Sequence, residues 1–289
     1  MGSVLAAVGL FVLIMDERFA PWYPGCFLLL FPLTIFNARE LLGLLGPKYK
    51  LPSAICLAGT LSVIAANWIP HLWQLKYYFP EPVPLRPLSF VLLAFVIFFL
   101  TVFLREIFVF QESNGSILRI ALSTWIVVYL AVLPSFLVQL RWLPDEKHYS
   151  TVALIMAVFV PKCCDIGAFF TGRYLGRTKM APTLSPKKTW EGAFGGLLLA
   201  VLVTIVIDRV TEASPLGRRI GFEIAFGISV GGFAILGDLA ESLIKRDCQQ
   251  KDSSQAVPGF GGVLDVIDAV LFAAPVSFIW LSVVSPPTR

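Results

Sequence analysis

Long apolar runs alternate with short polar segments along the chain, which is the pattern of a protein that crosses a membrane several times. Because about 20 residues of α-helix cross a bilayer, each run is a candidate span, and the sequence predicts an all-α fold with about nine transmembrane helices. The first run is short, so it is tilted, partly interfacial or not a span. The runs are residues 4–15, 22–38, 51–70, 88–104, 117–139, 150–170, 192–207, 220–237 and 263–284.

Composition agrees with a membrane location. Hydrophobic residues make up 57% of the chain and charged residues 15%, whereas about a quarter of a soluble domain is charged. We predict a single membrane domain over 1–289, with helices of low motif content over 1–150 and a catalytic, cytoplasm-facing motif region over 161–275. The net charge of +4 is not gathered on one basic face, which argues against a nucleic-acid partner.

The basic residues indicate which side of the membrane each loop faces. With the amino terminus in the cytoplasm, 13 of the 23 Lys and Arg residues fall in cytoplasmic loops, nine fall outside, and Lys162 lies within a span. Cytoplasmic loops of membrane proteins carry an excess of Lys and Arg. We therefore predict that the two motif-bearing loops face the cytoplasm. The compact form of the chain favours a bacterial inner membrane.

The segment GDLAESLIKRDCQQKDSSQAVPGFGGVLDVID, residues 237–268, carries the densest group of charges between two apolar runs. If the preceding helix continues, Asp238, Ser242 and Lys245 recur on one of its faces. An acid, a hydroxyl and a base on one face suit a divalent cation beside an anionic ligand. The alternative is a helix end with an i,i+4 surface pair, which is adequate for Glu241 and Lys245.

A glycine-rich turn, PGFGG at 258–262, leads into Asp265 and Asp268. Glycine allows a backbone to approach a phosphate closely. The two acids lie one helical turn apart, so they could simply favour the dipole of a helix start. As ligands they would meet Asp238 and hold one or two hard cations through oxygen, as magnesium requires.

A second polar segment, DIGAFFTGRYLGRTKMAPTLSPKKTWEG at 165–192, carries basic residues that could hold a polyphosphate. It lacks the GxxxxGK[ST] spacing of a P-loop. The alternative is a basic loop that fixes topology and touches anionic lipid. That alternative explains Arg177 and Lys179 equally well. For Lys187 and Lys188 we favour contact with a ligand.

The motifs DxGAxFxGR, SPKKTWEG, GDLxESxxKRxxxxKDSS and PGxGGxLDxxD together resemble those of the phosphatidate cytidylyltransferase (CDP-diacylglycerol synthase) family. The resemblance covers about 161–275 and is only compositional over 1–150. It implies a magnesium-dependent nucleotidyltransferase of phospholipid biosynthesis, which transfers the cytidylyl group of CTP to phosphatidic acid and releases pyrophosphate. It also implies an integral membrane enzyme that opens to the cytoplasm and often forms homodimers.

The resemblance assigns roles to residues at matching positions of this sequence. The implied catalytic residues are Asp238, Lys245, Arg246 and Asp265. The implied metal-binding acids are Asp238, Asp265 and Asp268. The implied substrate-binding residues are Ser185, Lys187, Lys188, Thr189, Glu191, Ser242, Lys251, Asp252, Gly261 and Gly262.

Four positions depart from the family pattern. Phe260 and Val266 stand where His and Arg are common, and Ile166 and Phe169 stand where Thr and Tyr are usual. An arginine at position 266 could bind a phosphate through two hydrogen bonds. Because valine stands there, two alternatives to the family reaction stay open. One is transfer to a different lipid phosphate, and the other is binding of CTP or lipid without catalysis. A transporter is disfavoured because the chain lacks the internal repeat that many transporters carry.

Overall fold

The computed structural model describes residues 11–20, 22–73, 87–111, 115–143, 148–250, 254 and 262–284. Within them, eight helices are long and apolar enough to cross a membrane, which confirms the all-α, polytopic fold of an integral membrane protein. The candidate spans are Pro24–Gly46, Ser53–Leu72, Leu88–Val109, Ser116–Trp142, Tyr149–Leu175, Trp190–Val210, Ile220–Asp247 and Leu264–Ser282. Of the predicted run at 4–15, only 11–15 belong to the described residues, and these are helical.

Most spans are single α-helices, and some are extended by short 3₁₀ or π segments. The α-helices are α1 (Pro24–Tyr49), α2 (Ser53–Ala65), α3 (Ile69–Trp73), α4 (Pro87–Val109), α5 (Ser116–Val127), α6 (Leu133–Gln139), α7 (Tyr149–Leu175), α8 (Trp190–Val210), α9 (Ile220–Asp247) and α10 (Leu264–Ile279). The 3₁₀ segments are Glu17–Phe19, Ala66–Trp68 and Leu140–Trp142, and the π segments are Val128–Val132 and Trp280–Val284. Two strands, β1 (Lys179–Ala181) and β2 (Ser185–Thr189), form an antiparallel hairpin.

The chain divides into two compact units, residues 1–139 with 262–264 and residues 140–261 with 265–289. The first unit contains α1 to α6 and buries a network of neutral polar side chains. The Asn67 amide nitrogen donates to the Ser135 hydroxyl at 2.9 Å, and its oxygen accepts from the Gln139 amide at 2.7 Å. These three buried groups therefore satisfy one another within an apolar interior.

Two carboxylates of the first unit bind backbone N–H groups where helices begin. Asp16 accepts from the N–H groups of Gly25 and Cys26, both at 2.7 Å, in the first turn of α1. Glu40 accepts from the N–H groups of Val263 and Leu264, both at 2.9 Å. The first N–H groups of a helix lack partners within the helix and attract negative charge, so both acids stabilise helix starts.

The second unit contains α7 to α10 and the hairpin, and glycines allow its helices to pack closely. A Cβ atom added at Gly192 of α8 would lie 2.8 Å from the carbonyl oxygen of Ala168 in α7. One added at Gly237 of α9 would lie 2.6 Å from the carbonyl oxygen of Asp268 in α10. Small residues let helix backbones approach in membrane proteins. The acids of α9 and α10 are brought together in this way.

The hairpin between α7 and α8 adds structure where the sequence indicated only a polar loop. Its strands pair with Lys179 opposite Thr189. Glu191, in the first turn of α8, accepts from the backbone N–H groups of Arg177 and Thr178, both at 3.1 Å. Strands of three and five residues without alternating apolar side chains give no sequence periodicity, which explains why the pattern did not reveal them.

Candidate active site

Five acidic side chains of the second unit come from three helices: Asp165 from α7, Asp238 and Glu241 from α9, and Asp265 and Asp268 from α10. Three of them form an acid triad, Asp238, Glu241 and Asp268, in which one carboxylate oxygen from each lies within 4.8 Å of the others. Glu241 is 1% exposed and Asp268 is 5% exposed. Buried carboxylates this close repel one another, so the acid triad requires positive charge nearby.

Two lysines supply part of that charge. The Lys188 ammonium, on β2, lies 2.8 Å from Oδ2 of Asp238. The Lys245 ammonium, one helical turn beyond Glu241 on α9, contacts Oε2 of Glu241 at 3.0 Å and Oδ1 of Asp265 at 2.5 Å. Asp265 is thus held by a lysine beside the acid triad.

A third lysine, Lys162 of α7, contacts Oδ2 of Asp165 at 3.2 Å and Oδ1 of Asp268 at 3.4 Å. With it, each member of the acid triad has a lysine partner. Among the residues that the structure describes, the network contains five carboxylates and three ammonium groups. In formal charge it therefore carries two more negative charges than positive ones, which one divalent cation would balance.

Glu241 provides a second indication of a cation. Its Oε2 accepts from Lys245, but its Oε1 is buried and accepts no hydrogen bond from any residue that the structure describes. A buried polar atom without a partner is destabilising, and carboxylate oxygens are the ligands that Mg²⁺ prefers. The acid triad therefore fits a hard divalent cation.

A cavity of about 680 Å³ lies beside the acids. Asp165 and Asp238 line it. Its basic and hydroxyl-bearing lining residues are Arg173, Lys187, Lys188, Ser185 and Thr189, and apolar side chains including Phe169 and Ile235 complete the wall. A pocket of this size is large enough to bury a drug-sized ligand. Cations and acids on one wall suit a phosphate-bearing ligand that binds together with a metal ion.

The structure brings together most of the site residues expected from the sequence. Asp238 and Asp268 belong to the acid triad, and Asp265 and Lys245 form an ion pair beside it. The hairpin places four expected substrate-binding residues on the cavity wall, namely Ser185, Lys187, Lys188 and Thr189.

Other expected residues belong neither to the acid triad nor to the described lining of the cavity. Arg246 is exposed and donates to a backbone carbonyl of the hairpin turn at 3.3 Å, and Ser242 is half-buried on α9. Glu191 accepts from the backbone N–H groups of Arg177 and Thr178, which directly precede β1. Gly262 is buried in the first unit. Three expected residues, Lys251, Asp252 and Gly261, lie outside the described part of the chain.

Three residues of the site were not among those expected: Asp165, Lys162 and Glu241. Arg173, which lines the cavity, is one of the basic residues that the sequence indicated could hold a polyphosphate. Glu241 follows Asp238 by three residues, so the two share a helix face, which was a usable signal. The expected surface pair of Glu241 with Lys245 does form, but Glu241 is buried rather than exposed. Lys162 precedes Asp165 by three residues within a membrane span, where ionisable residues are candidate functional groups.

Three relatives show the extent of similarity to known proteins. The chain is 30% identical over 258 residues to the phosphatidate cytidylyltransferase of Staphylococcus saprophyticus, covering 87% of this chain and 88% of that protein. It is 30% identical over 239 residues to that of Bacillus subtilis, covering 82% of each. It is 36% identical over 160 residues to that of Haemophilus influenzae, covering 55% of this chain and 54% of that protein. The chain thus spans about half the length of the Haemophilus protein.

A profile of the cytidylyltransferase family matches residues 1–284. The match includes the amino-terminal helices, where the sequence showed no motif. The resemblance inferred from the motifs at 161–275 is therefore confirmed and extends over nearly the whole chain. By this match, the chain belongs to the cytidylyltransferase family.

Proposed function

We propose that the chain transfers the cytidylyl group of CTP to phosphatidic acid, giving CDP-diacylglycerol and pyrophosphate. The observation that carries the proposal is the acid triad beside a cavity lined by Arg173, Lys187 and Lys188. Such a site combines groups for a divalent cation with groups for several phosphates. The relatives named phosphatidate cytidylyltransferase support the same reaction.

Magnesium would be held by Asp238, Glu241 and Asp268. When bound, the ion would neutralise part of the charge on the phosphates of CTP and on the departing pyrophosphate. The excess of two negative charges in the network supports this assignment, and so does the buried Oε1 of Glu241, which accepts no hydrogen bond from the described residues. In the described geometry Asp265 holds Lys245, so a ligand role for Asp265 would require it to exchange that partner.

The main obstacle to the transfer is the electrostatic repulsion between the phosphate of phosphatidic acid and the phosphates of CTP. A phosphate oxygen of phosphatidic acid is already negatively charged, so it needs no general base to attack the α-phosphorus of CTP. The new P–O bond forms as the bond to pyrophosphate breaks, in line. Arg173, Lys187 and Lys188 line the cavity, where they would bind the phosphates and oppose that repulsion. An incoming phosphate would share the Lys188 ammonium with Asp238.

We also propose that the site faces the cytoplasm of a bacterial inner membrane. The excess of basic residues in the motif-bearing loops supports this orientation. Cys248, at the end of α9, is half-buried and not disulfide-bonded. A membrane-impermeant thiol reagent should label it in inside-out vesicles but not in right-side-out vesicles. A homodimer is proposed from the family resemblance, and light scattering of the detergent-solubilised protein would test it.

The reaction is tested with purified protein in detergent, magnesium, phosphatidic acid and CTP labelled at the α-phosphate. We expect label to enter the lipid phase with wild-type protein, and we expect Asp238→Asn to lower the rate at least roughly 100-fold. Asp247→Asn is the matched control, because Asp247 is an exposed acid on the same helix. Full activity in Asp238→Asn would contradict the assignment of the site.

A second candidate is transfer to a different lipid phosphate. The specific observation is that Phe169 lines the cavity and Val266 is 39% exposed near the start of α10, where the family usually has Tyr and Arg. Competition among lipid phosphates in the same detergent would decide between acceptors. Thermal stabilisation by CTP and magnesium without transfer to any of them would indicate a binding protein instead.

A further inference from the structure

Lys162 lies where a charge is least expected. It is the fourteenth of the 27 residues of α7, a candidate membrane span, and it directly follows Pro161. A charged side chain at the centre of a span is costly, so an intramembrane lysine is almost always paired with another polar group. The proposed chemistry uses the cavity wall, and Lys162 does not line the cavity described above.

A simple i,i+3 pair with Asp165 does not account for the position of Lys162. Its ammonium also contacts Asp268, which belongs to α10 and to the acid triad. One ammonium group therefore lies between two carboxylates from different helices. A bound metal cation is held in a similar way, by carboxylates from different parts of the chain.

We propose that Lys162 is a built-in cation, which occupies the position between Asp165 and Asp268 that a second metal ion would otherwise take. The acid triad then binds a single divalent cation, because Lys162 already neutralises the adjacent pair of acids. Lys162 is thus a positioning residue that confines the metal to Asp238, Glu241 and Asp268. This inference rests on the proposed cation-dependent transfer at the same site.

The test counts bound cations without any substrate, so it does not depend on turnover. Full-length protein in detergent is titrated with Mn²⁺, which takes the same oxygen ligands as Mg²⁺, and free Mn²⁺ is measured by electron paramagnetic resonance. Wild-type protein should bind about one Mn²⁺ per chain. Lys162→Met, which keeps length but removes charge, should bind about two. Lys162→Arg, which restores the charge, should return to about one.

Arg209→Met is the matched control. Arg209 pairs with Glu223 at 3.1 Å, and Glu223 is a fully buried acid of the same unit. This substitution also removes the cationic partner of a buried carboxylate, but it does so away from the acid triad. It should leave the count at about one Mn²⁺.

Wild-type protein that binds two ions would overturn the inference without any variant, even if Lys162→Met fails to fold. A folded Lys162→Met that still binds one ion would overturn it as well, since Lys162 would then stabilise the helices only. An absence of lipid labelling together with the expected counts would reject the proposed function and leave the role of Lys162 standing.

Discussion

Two buried polar networks, one in each unit, are built in different ways. In the first unit, the amides of Asn67 and Gln139 and the hydroxyl of Ser135 bind one another, and none of them is charged. In the second unit, three lysines bind five carboxylates, and a buried oxygen of Glu241 has no partner among the described residues.

The difference separates a structural network from a site. Neutral hydrogen bonds between membrane helices contribute about 0.6 kcal/mol each on average, and a closed set of them simply holds helices together. Buried charges are far more expensive and are candidate functional groups. The charged network of the second unit has an excess of negative charge and lies beside a cavity, whereas the buried Glu106 of the first unit is paired with two arginines. We therefore expect substitutions in the second network to change cation binding, and substitutions in the first to change stability alone.

The largest effect is expected for Glu241→Gln. The amide keeps the shape of the side chain but removes a charge and one possible ligand oxygen, and it weakens the hold on Lys245. The Mn²⁺ concentration for half-saturation should rise on the order of 100-fold, measured by electron paramagnetic resonance and again as the magnesium dependence of transfer.

Glu223→Gln provides the comparison, since Glu223 is a fully buried acid on the same helix that pairs with Arg209 instead. It should lower stability without changing the half-saturating Mn²⁺ concentration. If both variants weaken cation binding equally, the effect comes from general disturbance of α9, and the acid triad is not the cation site.

A smaller effect is expected where glycine sets the distance between helices of the second unit. A Cβ atom at Gly227 would lie 2.6 Å from Cα of Val201 in α8, whereas at Gly232 it would meet no atom within 4 Å. Gly227→Ala should therefore lower the free energy of unfolding by about 1–3 kcal/mol. Gly232→Ala should change it by no more than about 1 kcal/mol, in the stabilising direction. Unfolding in mixed micelles of increasing SDS content measures both.

The apolar runs predicted the spans because each needs a long hydrophobic surface, and the described spans match eight of them. Their ends were less well predicted. The run at 220–237 ends where hydropathy falls, but α9 continues to Asp247. Backbone hydrogen bonds do not require apolar side chains, so a charged helical extension has no hydropathy signal. The hairpin was missed for a similar reason, since its strands are short and polar.

The site was predictable where its residues belong to segments with an unusual density of charge. Asp238 and Lys188 were identified from segments with unusual charge, and the structure pairs them. The sequence places Lys162 within a span and gives it no role, because its contact with the acid triad is made through Asp268, 106 residues further along the chain. Contacts of that range depend on which helices pack together. Here they depend on close helix crossings such as that at Gly237, which the sequence alone does not specify.

The smallest effect is expected for Asn67→Ala in the first unit. The substitution removes the partners of Ser135 and Gln139 and should lower the free energy of unfolding by about 1 kcal/mol, measured in the same SDS titration. Ser62→Ala, at an exposed hydroxyl of the same candidate span, should change it by less than about 0.5 kcal/mol. Neither variant should alter the Mn²⁺ titration. A shift of that titration by Asn67→Ala, as large as the shift by Glu241→Gln, would mean that the neutral network also controls the cation site, and the contrast between the two units would fail.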